Sequence, residues 1–261
     1  MDGALRGQKQ VEIIIADGGS TDGQTLKYYD ILRRNGAAKV FCGKGMPMPA
    51  LLNAAAKEAD RENCLFMDSN VEALGISWLY DMLSQSERRG CGGVSPKLIG
   101  QDGRLVYTGI TIGIGGWQDS PYAGTPDDRE SGQKLRFTGT LRTVSALSWV
   151  CMITPMDLFF NAGCFDESFN ETGFDTEYCT RLDRRGYSLI YAPNVVMKYH
   201  GRIQKVADAD GQDRMRYYDT VRDTLIRGDP RYNNNFDYAL PSPRIAVRPR
   251  PAAELNELYR K

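Results

Sequence analysis

The stretch VEIIIADGGSTDG, residues 11–23, joins an unbroken apolar run to an aspartate and a glycine-rich turn. A strand without polar alternation is buried on both faces, and such strands belong to parallel sheets covered by helices. Asp17 then stands at the carboxyl end of the strand, followed by Gly18, Gly19, Ser20, Thr21 and Asp22. Open α/β sheets bind nucleotides at that place. The carboxylate can accept hydrogen bonds from a base or ribose, and the glycines allow close backbone approach. The same residues also fit a capped turn opening a helix at Gln24, with Asp22 or Thr21 as cap. Because the run lies so close to Met1, a strand that would ordinarily precede it is expected to be missing.

Downstream, the pattern alternates as a parallel sheet requires. A helix is predicted over 24–34, a strand over 39–42, a helix over 49–60 and a strand over 64–67 that ends at Asp68-Ser69-Asn70-Val71-Glu72. A helix over 77–89 closes this doubly wound half. From Gly90 the texture changes. Residues 92–98 and 105–114 read as strands around the turn Gln101-Asp102-Gly103, and 115–139 is a long Gly, Pro, Asp and Ser-rich loop, either a binding lid or plain disorder. Strand 145–154, helix 156–162, the FDESF turn at 165–169, helix 176–186, strands 188–192 and 195–200 and a helix from 211 to 227 follow. Residues 237–261 read as an irregular tail, where Arg244, Arg248 and Arg250 could touch a lipid-linked acceptor but also fit a solvated segment.

The 261 residues suit one large domain with an appendage. Lys plus Arg and Asp plus Glu are equal at 33 each, so no global field recruits nucleic acid or an acidic membrane. The six cysteines show no CxxC pair and no zinc spacing, and read as reduced core residues. No signal peptide or membrane span is evident. A cytoplasmic protein with at most peripheral membrane contact is expected.

Two further clusters carry potential chemistry. Oxygen donors at Asp68, Ser69, Asn70 and Glu72 could hold a divalent cation against a diphosphate, or simply sit at a helix start. Asp175 and Glu177 open a predicted helix, and His200, the single histidine, ends a strand. A desolvated carboxylate is a candidate general base and a neutral imidazole is a common metal ligand, although a lone histidine also serves as a satisfied structural residue. Trp149, Trp117 and Tyr122 could face an acceptor sugar or pack in the interior.

In their order and spacing these segments resemble a bacterial family 2 glycosyltransferase with the GT-A fold, of the polysaccharide or O-antigen type. The matching pieces are IIIADGGSTDG, LLNAAAKEA, LFMDSNVEAL, SPKLIGQDGRLVYTGITIGIGG, VCMITPMDLFFNAGCFDESF, FDTEYCTRLDRRGYSLIYAP, VVMKYH and DPRYNNNF, covering residues 11–236. The resemblance implies an α/β, Rossmann-type sandwich with a mostly parallel central sheet over 1–236, truncated at its N-terminal side, since the VSIIIPTYN-type strand of the family is absent. It implies nucleotide-sugar contacts from Asp17, Gly19, Ser20, Asn53, Asp68 and Ser69, metal ligation by Asn70 and His200, and Asp175 as catalytic base. Trp149 and Glu177 are the acceptor-side candidates. The implied cofactor is a divalent metal, Mn²⁺ or Mg²⁺, held more weakly where Asn70 replaces an aspartate, with Glu72 as a compensating donor. The implied reaction is inverting transfer from a nucleotide-sugar donor to a glycan or lipid-linked acceptor; a partner chain is one source of the missing strand and a truncated gene product the other explanation. A glycosyltransferase-like scaffold subunit or truncated fragment without catalysis is the alternative. A dinucleotide-dependent oxidoreductase lacks its GxGxxG.

Overall fold

Residues 11–127 and 137–246 are described by a computed structural model of the chain. The apolar run at its start forms β1 (Ile14–Asp17), which pairs in parallel with β2 (Lys39–Cys42) across the connecting helix α1 (Gly23–Arg34). Asp22 caps α1 by accepting from Thr25 N at 2.8 Å, which leaves Asp17 free of that role. These two strands form a sheet of their own. No residue of α1 is buried, and Leu26, Tyr28 and Ile31 on it are exposed. The next helix, α2 (Met48–Lys57), is the opposite case. Ala50, Leu51, Leu52, Ala55 and Ala56 are buried along it, and it packs against β1.

The main sheet is ordered β3 (Asn63–Met67), β10 (Cys151–Pro155), β5 (Cys91–Ile99), β11 (Ser188–Tyr199) and β4 (Val71–Ala73). β5 and β11 are parallel, and β10 is antiparallel to both β3 and β5, so the three strands β3, β5 and β11 share one direction. The short strands β6 (Leu105–Tyr107) and β9 (Arg142–Thr143) add to β5 and β11. β5 is buried on both faces from Cys91 to Leu98, as expected of a central strand between helices. The helices α3 (Trp78–Ser86), α4 (Met156–Asn161), α5 (Phe174–Arg184) and α6 (Gly211–Arg227) complete the α/β sandwich.

Under one end of the sheet lies an aromatic cluster. Phe165, from the FDESF turn, stands 4.8 Å from Phe66, 5.0 Å from Phe159, 5.0 Å from Phe174 and 5.4 Å from Tyr178, ring centre to ring centre. Tilted and edge-on packing of this kind adds to plain area burial. It fixes the first two turns of α5, since Phe174 and Tyr178 are one turn apart.

Several elements depart from the sequence reading. The 105–114 run breaks after Tyr107, because Ile110 N turns to Ala146 O (3.1 Å) and β7 (Thr111–Ile112) pairs away with β8 (Gln118–Asp119). Residues 145–150 are not strand: Ser148 N and Trp149 N are drawn to the side chains of Tyr107 (3.3 Å) and Asp175 (3.2 Å) instead of a ladder. Trp149 therefore sits in the turn before β10, half-buried against Phe174 at 6.2 Å. The two strands read over 188–192 and 195–200 are one strand, β11, in which Pro193 and Asn194 make an irregularity rather than an end. Of the tail, 237–246 folds back on the 113–122 region, with Gly115 N bonded to Tyr238 O and Tyr122 N to Pro241 O. Arg248, Arg250 and the middle of the long polar loop lie outside the described residues. All six cysteines are free and all but Cys42 and Cys164 are buried.

Candidate active site

Asp17 ends β1 with its carboxylate turned onto its own loop. Ser20 Oγ donates to Oδ1 at 2.6 Å and Ser20 N to the same oxygen at 3.0 Å, and these bonds, led by the serine hydroxyl, hold the carboxyl below its ordinary value. Gly19 makes that loop feasible. Its φ of 113° is left-handed, and a Cβ there would lie 2.9 Å from Lys44 Cγ. Cys42 Sγ lies 3.7 Å from Asp17 Oδ2, at the end of β2.

The second group forms where β3 and β11 end. Asp68 Oδ1 accepts from Asn70 N (2.7 Å) and Asn70 Nδ2 (2.9 Å), which leaves the carboxamide oxygen of Asn70 without that duty. His200 N donates to Asn70 O at 2.9 Å, so the histidine stands beside the Asp68–Asn70 turn. Its ring is held on both sides: Nε2 is 2.8 Å from Glu72 Oε2 and Nδ1 is 2.7 Å from Gln101 Nε2. Since the amide nitrogen of Gln101 can only donate, Nδ1 accepts and the Nε2 proton faces Glu72. Ser69 and Asn70 are exposed, and Asp68 is half-buried. Among the described residues, no three His, Cys, Asp or Glu side chains converge as a metal cluster. The donors present are carboxylate and amide oxygens with one imidazole, a chemistry that suits a hard divalent cation.

Asp175 lies in the first turn of α5 and is 6% exposed. Trp149 N donates to Oδ2 at 3.2 Å and Thr176 N to Oδ1 at 2.8 Å. Burial outweighs these bonds and a contact from the Ser148 hydroxyl, and pushes the carboxyl up to about 6. The turn carrying Trp149 also reaches the second group, because Asp68 N donates to Val150 O at 2.9 Å. One short turn thus joins Asp175 to the Asp68–Asn70–His200 group.

The remaining candidates lie elsewhere. Asn53 is buried on α2 and bridges to the FDESF turn, donating to Phe165 O (2.8 Å) and Glu167 Oε1 (3.0 Å) and accepting from Phe165 N (3.0 Å). Glu177, about 200° around the helix from Asp175, pairs with Arg181 through both oxygens at 2.6 and 2.8 Å. Asn53, Lys57, Cys164, Glu167, Glu177 and Arg181 line a separate cavity of about 520 Å³. Trp117 is buried against Tyr217, and Tyr122 packs on Phe137.

Sequence reasoning passed over Gln101 and Ser148. Gln101 was hidden in a turn signature, and Ser148 in an apolar run that read as strand. Neither carries a local signal, because each acquires its partner only when β5 meets β11 and when α5 docks.

The arrangement is that of the GT-A glycosyltransferase fold. The structure is similar to that of GalNAc-T7 with UDP, GalNAc and Mn²⁺, with a TM-score of 0.60 at 15% identity, covering 81% of this chain and 41% of that one. It is similar to the mannosyltransferase PcManGT of Pyrobaculum calidifontis, in complex with GDP-Man and Mn²⁺, at 0.52 and 16%, over 85% of this chain and 56% of that one. For S. aureus TarS the values are 0.51 and 17%, over 84% and 34%. In sequence, the chain is 28% identical over 224 residues to the O-antigen biosynthesis protein RfbC of Myxococcus xanthus, spanning 85% of this chain and 18% of that protein. It is 26% identical over 254 residues to the uncharacterized protein y4gI of Sinorhizobium fredii, spanning 90% and 27%. The chain therefore corresponds to a small part of the curated relatives it matches. No family model matches it.

Proposed function

We propose that this chain is a family 2 type inverting glycosyltransferase that moves a sugar from a nucleotide-diphosphate sugar to a hydroxyl of a glycan or lipid-linked acceptor, in assembly of an O-antigen-like polysaccharide. The observation that carries this reading is Asp175, a buried carboxyl raised to about 6 and tied by the 148–150 turn to Asp68. Raised but still ionised near neutrality, it is suited to take a proton from the acceptor hydroxyl as that oxygen attacks the anomeric carbon. Asp17, Gly19 and Ser20 bind the nucleoside end, and Asp68 and Ser69 the ribose and phosphate region. Asn53 serves from behind, by fixing α2, which packs on β1. Trp149, whose amide is bonded to Asp175, is the acceptor-side candidate, whereas Glu177, paired with Arg181 at the separate cavity, is set aside from that role. Asp68, Asn70 and Glu72 would hold a divalent ion, Mn²⁺ or Mg²⁺, and His200 would join them once a ring nitrogen is released from Glu72 or Gln101; when bound, the ion neutralises the departing diphosphate. RfbC's name, the UDP, GalNAc and Mn²⁺ with GalNAc-T7 and the GDP-Man and Mn²⁺ with PcManGT support the reading.

The edges of β1 and β3 could accept a further strand at the nucleotide end. β1 and β3 each have one edge without a partner among the described residues, and Val11, Ile13, Leu26 and Ile31 nearby are exposed. Among the described residues no helix is long and apolar enough to cross a membrane; a cytoplasmic place with at most peripheral membrane contact is part of the proposal.

Calorimetric titration with UDP, GDP, dTDP and CMP, each with and without Mn²⁺, tests the reading. Metal-dependent binding of one nucleotide is expected. Binding of none at millimolar concentration would overturn it.

A further inference from the structure

Asp213 is an aspartate that the catalytic reading does not use, and it is 1% exposed in the first turn of α6. Its carboxylate gathers consecutive backbone amides of the turn leading into α5: Asn170 N at 2.8 Å on Oδ1, with Glu171 N at 3.0 Å and Thr172 N at 3.3 Å on Oδ2. Asp210 supports the same turn, taking Asn170 Nδ2 at 2.7 Å while capping Asp213 N at 2.8 Å. Asn170 O in turn accepts from Met48 N, at the start of α2, at 2.9 Å. Three helices therefore meet on one turn, and that turn ends in Gly173 and opens the helix of Asp175.

One turn along α6, Tyr217 lies on the same face as Asp213. It is fully buried, donates to Trp117 O at 2.7 Å and presses on Gly173. The groups that face Asp175 are Tyr217 from α6, Tyr107 from β6 and Cys179 from its own helix, and burial raises all three. They seal the carboxyl from water without adding charge near neutrality. The seal on the α6 side depends on the 170–172 turn holding α5 and α6 together.

We propose that Asp213 is a positioning residue: by clamping the amides of 170–172 it keeps Asp175 at its station and out of water. The consequence for transfer rests on Asp175 being the base, but the clamp itself can be read without activity. Carboxyl ¹³C NMR of Asp-labelled protein, with Asp175 assigned by its loss in Asp175→Asn, follows its titration directly. In Asp213→Asn an amide donor meets amide donors, so the turn loosens. The Asp175 midpoint is expected to fall by at least one pH unit from about 6 towards the ordinary 3.8. Leu225→Ala, a packing loss farther along α6, should lower Tm and leave the midpoint in place. A folded Asp213→Asn that still titrates at about 6 would overturn the proposal. If that variant does not fold, Asp210→Ala, which removes both the side-chain support of Asn170 and the cap on Asp213 N that seats the clamp, is read the same way: a downward shift supports the clamp and an unchanged midpoint refutes it. If Asp175→Asn kept full transfer activity, the base assignment would fall while the NMR result stood on its own.

Discussion

A carboxyl that must take a proton has to be ionised first, and at Asp175 burial sets when that happens. Its value of about 6 predicts a transfer rate that rises through about pH 6 and is level above it. Asp175→Asn should lower transfer by about 10²- to 10⁴-fold with nucleotide affinity unchanged, as turnover and calorimetry on the same preparation would show. Stability should respond with the opposite sign. The folded chain keeps a proton that the unfolded chain has lost between the ordinary 3.8 and about 6, so stability falls across that window as pH rises. Asp175→Asn removes that pH dependence and should gain up to about 3 kcal/mol above pH 6, less what is lost with the acceptor of one backbone N–H, measurable by urea unfolding at two pH values. At His200 the imidazole is oriented by Glu72 and Gln101. His200→Ala should raise the Mn²⁺ concentration needed for half-maximal nucleotide binding by about 10- to 100-fold, and Asn70→Asp should lower it. Mn²⁺ titrations in which neither variant differs from the parent would remove both residues from the metal site.

At the scale of elements, the entrance to α5 shows what the sequence discloses and what it hides. Asp175 and Glu177 were legible as a helix start, because acidic residues favour the positive end of a helix. The helix in fact begins two residues earlier than its periodicity predicts, at Phe174, since Gly173 takes a left-handed φ of 91° as its cap. Gly173→Ala would force that conformation on a Cβ placed 3.2 Å from Phe169 and 3.4 Å from Tyr217. A loss of about 1–2 kcal/mol is expected, read as a drop in Tm together with reduced turnover. β1, β2 and the ends of β3 and β5 were readable from continuous apolar runs. The 145–150 segment was not, because its amides answer to side chains from β6 and α5 that lie far away in sequence. The same distance in sequence conceals the pairing of His200 with Gln101 and the grip of Asp213 on the 170–172 turn. The binding loops were thus visible as motifs, and their mutual arrangement came only with packing.

At the scale of the molecule, the two sheets meet without a shared ladder. By register, the amides of Ile14 and Ala16 on β1 and of Leu65 and Met67 on β3 point away from their paired neighbours. Hydrogen exchange at these amides should be fast in the chain alone and, in a longer chain that supplies an intervening strand, slowed about tenfold for every 1.4 kcal/mol by which that strand stabilises the edge. Equal exchange in both would remove the completing strand from the proposed function. The β1–α1–β2 unit is joined to the rest by the packing of α2 on β1, by Glu12, which takes Asp60 N at 3.0 Å, and by Lys39 Nζ, which donates to Glu58 O at 2.9 Å. With no buried residue on α1 and no strand of this unit paired to the main sheet, the unit is expected to open apart from the rest. Heating should therefore melt the chain in two steps. The first would release Asp17 while the Asp68, Asp175 and His200 group stayed folded, and a nucleotide that grips both parts would draw the two transitions into one.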